Sequence, residues 1–252
     1  MHMKISIVTV CYNAADQIEE TIKSVVGQDY PNIEYIIIDG GSTDGTADII
    51  RKYSDKISYW KSEPDNGIYD AMNKGIRVAT GDYINFMNAG DYFSSDSAVS
   101  DMVKGIHPDT DIIYGDSTMI DYKGRRKFKA SDTDVTILNK RPIYRHNASF
   151  TRTSLHLKNL FATDRQKEFK YALDYNNIFT LWHKGAKFQK ADVDVVTWDK
   201  NGTSDRDVEN IRLMFAISHQ FRKPTFKERF IYVYDLIKAC RRDFLKNFNG
   251  KN

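Results

Sequence analysis

What this chain has little of narrows it first. Its 252 residues include two cysteines, Cys11 and Cys240, at opposite ends. Thiols so placed exclude a disulfide framework and a zinc-ligand spacing, and they point to a reducing cytoplasm. No run of 18 apolar residues exists, which excludes a membrane-spanning helix of ordinary length. Met1-His2-Met3-Lys4 leads straight into a strand pattern, without the charged, apolar and cleavage regions of a secretory signal. The net charge is only +3, below the excess that marks a nucleic-acid binder, so no nucleic-acid partner is expected. A G-x-G-x-x-G dinucleotide fingerprint is missing. Gly40 and Gly45 have P-loop spacing, but Thr46 stands where the lysine belongs.

What is present is regular alternation. Residues 4–10 (KISIVTV) and Ile33–Asp39 (IEYIIID) are short, apolar and β-branched, as in buried parallel strands. A third short strand is predicted over 57–60 and a fourth over 82–87. Helices are predicted between them: one around Ile18, Ile22 and Val25 with Asp16 as N-cap, one over 46–53, and one over 68–79. Strand–helix alternation with short loops describes a doubly wound α/β sheet, whose ligands bind beyond the carboxyl ends of the strands. The polar groups Tyr12-Asn13, 39–44 and 88–91 all fall at those ends.

Each of these turns has a chemical and a structural reading. Tyr12 can stack on a nucleobase or close the sheet. Asp39, an anion, repels phosphate but can accept from a base N–H or a ribose hydroxyl; Asp44 suits a helix cap. Asp65 is a candidate nucleotide contact. Ala71 and Gly75, four apart, suit close helix packing. Asp91, beside flexible Gly90, can hold Mg²⁺ or Mn²⁺ on a diphosphate or serve only as a turn residue.

Together and in this order, Thr9-Val10-Cys11-Tyr12-Asn13, Asp39-Gly40-Gly41-Ser42-Thr43-Asp44-Gly45-Thr46, Asp65-Asn66-Gly67 with Ala71, Asn73 and Gly75, and residues 81–91 resemble the family 2 glycosyltransferases. The resemblance is dense over residues 4–95 and looser to about 205. It implies an α/β fold of the GT-A type: a Rossmann-like, mostly parallel sheet flanked by helices. It implies a catalytic domain over residues 1–205 and a C-terminal helical extension over 206–252. It further implies inverting transfer of a sugar from a nucleoside diphosphate, with a UDP-sugar favoured, to an acceptor hydroxyl on a glycan or lipid-linked molecule in surface polysaccharide assembly. Nucleotide contacts would fall on Thr9, Tyr12, Asn13, Asp39, Asp65 and Asn73. The metal, Mn²⁺ or Mg²⁺, would fall on Asp91 and Asn88. The usual metal motif reads Asp-x-Asp-Asp; this chain has Asn88 and Gly90 where the first two acids stand. That departure leaves open a catalytically weak or inactive sugar-nucleotide-binding protein.

The second half is less regular. Strands are predicted over 111–115, 144–151 and 193–198, a hairpin turn over 123–126, and a helix over 171–183. By resemblance, Asp174 near that helix start is the catalytic base; its structural reading is a charge favourable to the helix dipole. Arg145-His146-Asn147 resembles the acceptor-side strand, so His146 would touch acceptor or donor sugar. His183 stands where the family has Arg and would lie near the phosphates. Gly202-Thr203-Ser204 resembles a mobile loop over the nucleotide. Beyond 208 the chain reads as helical with a break near Pro224, and residues 222–248 mix eight Lys and Arg with many rings and aliphatics. Such a segment either lies on an anionic membrane, at its inner cytoplasmic face, or packs on the domain with snorkelling cations.

Overall fold

The computed structural model describes residues 3–121, 123–124, 126–129, 131–199 and 207–249. The strands are β1 (Ile5–Cys11), β2 (Ile33–Asp39), β3 (Tyr59–Ser62), β4 (Tyr83–Phe86), β5 (Tyr92–Phe93), β6 (Ile112–Ile120), β7 (Arg126–Lys129), β8 (Ser149–Arg152) and β9 (Phe188–Asp199). The helices are α1 (Ile18–Val26), α2 (Thr46–Lys52), α3 (Ile68–Val78), α4 (Ala98–Lys104), α5 (Thr153–Lys158), α6 (Gln166–Phe169), α7 (Leu173–His183), α8 (Asp207–Ser218) and α9 (Phe226–Asn249).

One sheet runs β3-β2-β1-β4-β8-β6-β9-β5, with β7 paired to β6. The first four strands are parallel, joined by helical crossovers as parallel pairing requires. Strand order reverses at β1, between β2 and β4, which makes the carboxyl ends of these strands the switch point where ligands bind. The expectation of a mostly parallel sheet holds only for this half. β8 enters antiparallel to both β4 and β6, β5 is antiparallel to β9, and only β9 returns parallel to β6. The predicted strand over 144–151 is a 3-10 turn, His146–Ala148, followed by β8.

β1 is buried on both faces, so its side chains feed two cores. Ile5 and Ile7 join Ile18, Ile22, Val25 and Ile50 on the α1–α2 side. Val8 and Val10 join Met72 and Ile76 of α3 and Leu173 and Phe179 of α7 on the other. A Cβ on Gly75 would collide with Val8, so glycine lets α3 lie against β1. Asp16 does not cap α1. Gln17 occupies that position without a side-chain bond, and Ala14 C=O takes the N–H groups of Gln17 and Ile18.

Leu213 and Ile217 of α8 lie in the same core as α7. Gln220 bonds Asn176 at 3.0 Å, and Phe221 stacks on Phe179. The segment after 206 therefore begins as part of the catalytic body, and only α9 extends from it. The expected boundary near 205 and the Gly202–Ser204 loop lie outside the described residues. Among the described residues no helix is long and apolar enough to cross a membrane.

Candidate active site

The loops beyond β1, β2 and β3 meet at one end of the rim. Tyr12 is 65 % exposed there. Asn13 has a left-handed φ of 47° and ties two loops: its N–H donates to Ser42 Oγ at 2.7 Å, and its Oδ1 accepts from Thr43 N at 3.0 Å. Gly45 is the N-cap of α2, and Asp44, one residue earlier, accepts from Thr46 N and Ala15 N. Asp65 Oδ1 accepts from Gly67 N at 2.7 Å. Its Oδ2 lies 2.7 Å from where a Gly40 Cβ would stand, and Tyr12 Cδ2 lies 3.3 Å from that point. Gly40 thus lets the Asp65 carboxylate and the Tyr12 ring come together as neighbours.

Three expected nucleotide contacts are placed differently. Thr9 is fully buried on the α1–α2 side of β1, its hydroxyl 3.1 Å from Tyr35 OH. Asn73 is buried, with Nδ2 donating to Phe161 C=O and Oδ1 accepting from Phe161 N, so it locks α3 to a distant loop. Asp39 is also buried. Its carboxylate accepts from Ser42 N, Ser42 Oγ and Ser62 Oγ. A base N–H would have to displace one of these donors to reach it. Cys11, 3.5 Å from Asp39, has its thiol pushed up by burial and by that carboxylate.

The other end of the rim is assembled by two consecutive residues. His146 Nδ1 lies 3.1 Å from Asp174 Oδ2, and His146 Nε2 lies 3.2 Å from Asn88 Nδ2. Asn147 Nδ2 donates to Asp91 Oδ2 at 2.9 Å. The 3-10 turn between β6 and β8 therefore grips the β4 loop with both residues and the start of α7 with one. Neither Asn147 nor its neighbour Arg145 was singled out as a site residue from the sequence. Arg145, 3.6 Å over the Trp198 ring, acts on both Asp91 and Asp174 by charge.

Burial pushes the Asp91 carboxyl above its ordinary range, against the Asn147 bond and the nearby His146 and Arg145. At Asp174 burial also works upward, but the His146 bond and charge, the Tyr175 N–H and Arg145 outweigh it. Asp174 is held below the usual carboxylate range, and its side chain stays 27 % exposed.

His146 has both ring nitrogens engaged inside the protein, toward Asp174 and Asn88. His183 is displaced further. It ends α7, nine residues beyond Asp174 and roughly 13 Å along the axis. There it bonds Phe179 C=O and packs on Phe221 and Trp182. Gly90, where the chain departs from the metal motif, has a φ of +93°, a left-handed conformation that glycine adopts without strain.

The donor set left for a cation is one carboxylate and one carboxamide. Asn88 Oδ1 is buried with no hydrogen-bond partner, and so is Asn147 Oδ1. Oxygens of this kind suit Mg²⁺ or Mn²⁺ when substrate phosphate and water complete the shell. Among the described residues no cluster of three His, Cys, Asp or Glu could hold the ion alone.

A switch-point rim with Tyr12 and Asp65 at one end, and Asp91 and Asp174 held by the consecutive residues Asn147 and His146 at the other, sits on an α/β sheet of the GT-A type. The family profile described as Glycosyl transferase family 2 matches residues 6–176, and the chain belongs to that family. An uncharacterized glycosyltransferase of Mycobacterium tuberculosis is 41 % identical over 103 residues, 40 % of this chain and 39 % of the relative. The Escherichia coli UDP-Glc:alpha-D-GlcNAc-diphosphoundecaprenol beta-1,3-glucosyltransferase WfaP is 41 % identical over 90 residues, 35 % of this chain and 36 % of that protein. The matched stretch is thus under two fifths of either relative's length. In fold, the mannosyltransferase PcManGT from Pyrobaculum calidifontis, solved with GDP-Man and Mn²⁺, superposes with a TM-score of 0.70 at 18 % identity, over 96 % of this chain and 74 % of that one.

Proposed function

We propose that this enzyme transfers a sugar, with inversion, from a nucleoside-diphosphate donor to an acceptor hydroxyl, in assembly of a surface polysaccharide or glycoconjugate. The observation that carries it is the 3.1 Å His146–Asp174 contact beside the 2.9 Å Asn147–Asp91 bond. These contacts support the reading because they tie Asp174 and Asp91 to consecutive residues of one turn. Asp174 takes the proton of the acceptor hydroxyl as that oxygen attacks the anomeric carbon. The bond from that carbon to the diphosphate breaks, and the electron pair leaves with the phosphate. His146 fixes Asp174 Oδ2, and the Tyr175 N–H and the Tyr69 hydroxyl bear on the same carboxylate. Tyr12 stacks on the base, and Asp65 accepts from the base or ribose. Asp91 and Asn88 would hold a divalent cation, which would supply charge stabilisation to the leaving diphosphate.

A UDP-sugar is the favoured donor and a lipid-linked glycan the favoured acceptor, both supported by the chemistry in WfaP's name. Thermal stabilisation across UDP-, GDP- and dTDP-sugars reads out the donor, since bound ligand raises apparent stability by mass action. Asp174→Asn is expected to keep nucleotide affinity and cut transfer about 10³-fold. Comparable turnover would remove Asp174 as the base. Asp91→Ala should abolish Mn²⁺-dependent donor hydrolysis. The single carboxylate of the metal set favours a second reading, a sugar-nucleotide binder of little activity. Tight nucleotide binding with no donor turnover in the unmodified protein would establish it.

A further inference from the structure

α9 presents its faces the wrong way round for a surface helix. Phe226, Phe230, Val233, Tyr234 and Ile237 recur at helical spacing within an arc of about 100°. Phe226 is 86 % exposed, Phe230 68 % and Ile237 64 %. The opposite face meets α8. Tyr232 stacks on Phe215 with centroids 4.1 Å apart, and Ala239 is fully buried. The acids are turned that way too. Glu228 and Asp235 line the groove against α8, and Glu228 is paired with Arg222. Exposed Lys227 and Lys238, eleven residues apart, share one flank of the apolar arc, and exposed Arg229 stands on the other. No acid falls on that arc among the described side chains.

We propose that this outward face of α9 docks on an anionic lipid surface. The occupant follows from charge as well as apolarity. Residues 222–248 carry eight Lys and Arg against three acids, an excess larger than the net +3 of the whole chain. A second copy of the chain laid face to face would set each basic flank against its own like. An anionic bilayer meets the same arrangement with rings and aliphatics at the acyl boundary and cations at the headgroups. Gln220 and Phe221, at the foot of α9, bear on Asn176 and Phe179 of α7, the helix that carries Asp174. Docking would therefore hold that helix close to the lipid surface. The proposal does not depend on which reaction the cleft performs.

The test is co-sedimentation of the full chain with phosphatidylglycerol-rich vesicles and with pure phosphatidylcholine vesicles. Binding to the first, weakened by salt and by Lys227→Glu with Lys238→Glu, is expected. Phe230→Glu with Ile237→Glu should lower the partition coefficient by about ten-fold or more while the circular dichroism melting curve is unchanged. The proposal is overturned by absence of binding, by equal binding to both vesicles, or by a self-association that the Phe230 and Ile237 changes abolish.

Discussion

Around Tyr12 backbone N–H groups donate to side chains, Asn13 N to Ser42, Thr43 N to Asn13, Ala15 N to Asp44 and Gly67 N to Asp65, beside the Ser42 and Ser62 hydroxyls that donate to Asp39. Around Asp174 the rim is built from side chain to side chain: imidazole to carboxylate, carboxamide to imidazole, carboxamide to carboxylate. In the first region the polar side chains are spent on fixing loop shape. In the second, loop shape is given by a short 3-10 turn, and the side chains are spent on one another. Substitution should therefore act on binding at the first end and on turnover at the second.

The largest separation between the two ends is expected from Asp174→Asn, with its loss of about 10³ in transfer at unchanged nucleotide affinity. His146→Ala comes next. As a positioning change it should lower kcat roughly 10- to 100-fold and leave the donor KM alone, because a misplaced base costs orientation rather than binding. His146→Gln, which keeps a donor toward Asp174, should recover part of kcat. Equal kinetics for the Ala and Gln variants would show that only the volume of the ring matters. At the nucleotide end, Tyr12→Ala should raise the donor KM roughly ten-fold with little change in kcat, as expected for one lost stacking contact. A fall in kcat instead would erase the contrast between the two ends.

A change at the amino end of β2, away from the rim, sharpens the contrast as a control. Glu34 is nearly buried and accepts from Lys4, Ser6 and Thr80. Burial works to raise its carboxyl, but these bonds prevail and lower it from 4.5 to about 2. A lowered carboxyl stabilises the fold above its unfolded value and loses that contribution as pH falls toward its folded one. Glu34→Gln should thus cost about 2 kcal/mol in urea unfolding at neutral pH, with the deficit shrinking between pH 4.5 and 2. Transfer kinetics should be untouched. A deficit that stays constant over that window would mean the ionised form is not what stabilises.

The residues that sequence placed well and badly differ in one respect. Tyr12 and Asp65 lie side by side on turns just beyond strand ends. Thr9 and Asn73 belong to a strand and a helix whose polar side chains can face either way. Their partners, Tyr35 and Phe161, lie 26 and 88 residues off, beyond any local pattern. The Asn147 bond to Asp91 is not legible in the Arg145-His146-Asn147 motif for the same reason: the two lie 56 residues apart. His183 follows Asp174 on one helix, and its misplacement was legible in helical rise alone.

Local chemistry by itself determined the parallel strands, the switch-point loops, the family and the acid at the start of α7, since periodicity and turn residues act over a few positions. Only the tertiary structure decided which polar groups reach the cleft. It also decided that the second half of the sheet is mixed and that the apolar arc of α9 faces outward. Those outcomes depend on which distant partner satisfies each buried donor, acceptor or apolar face, and that choice is made by the folded chain as a whole.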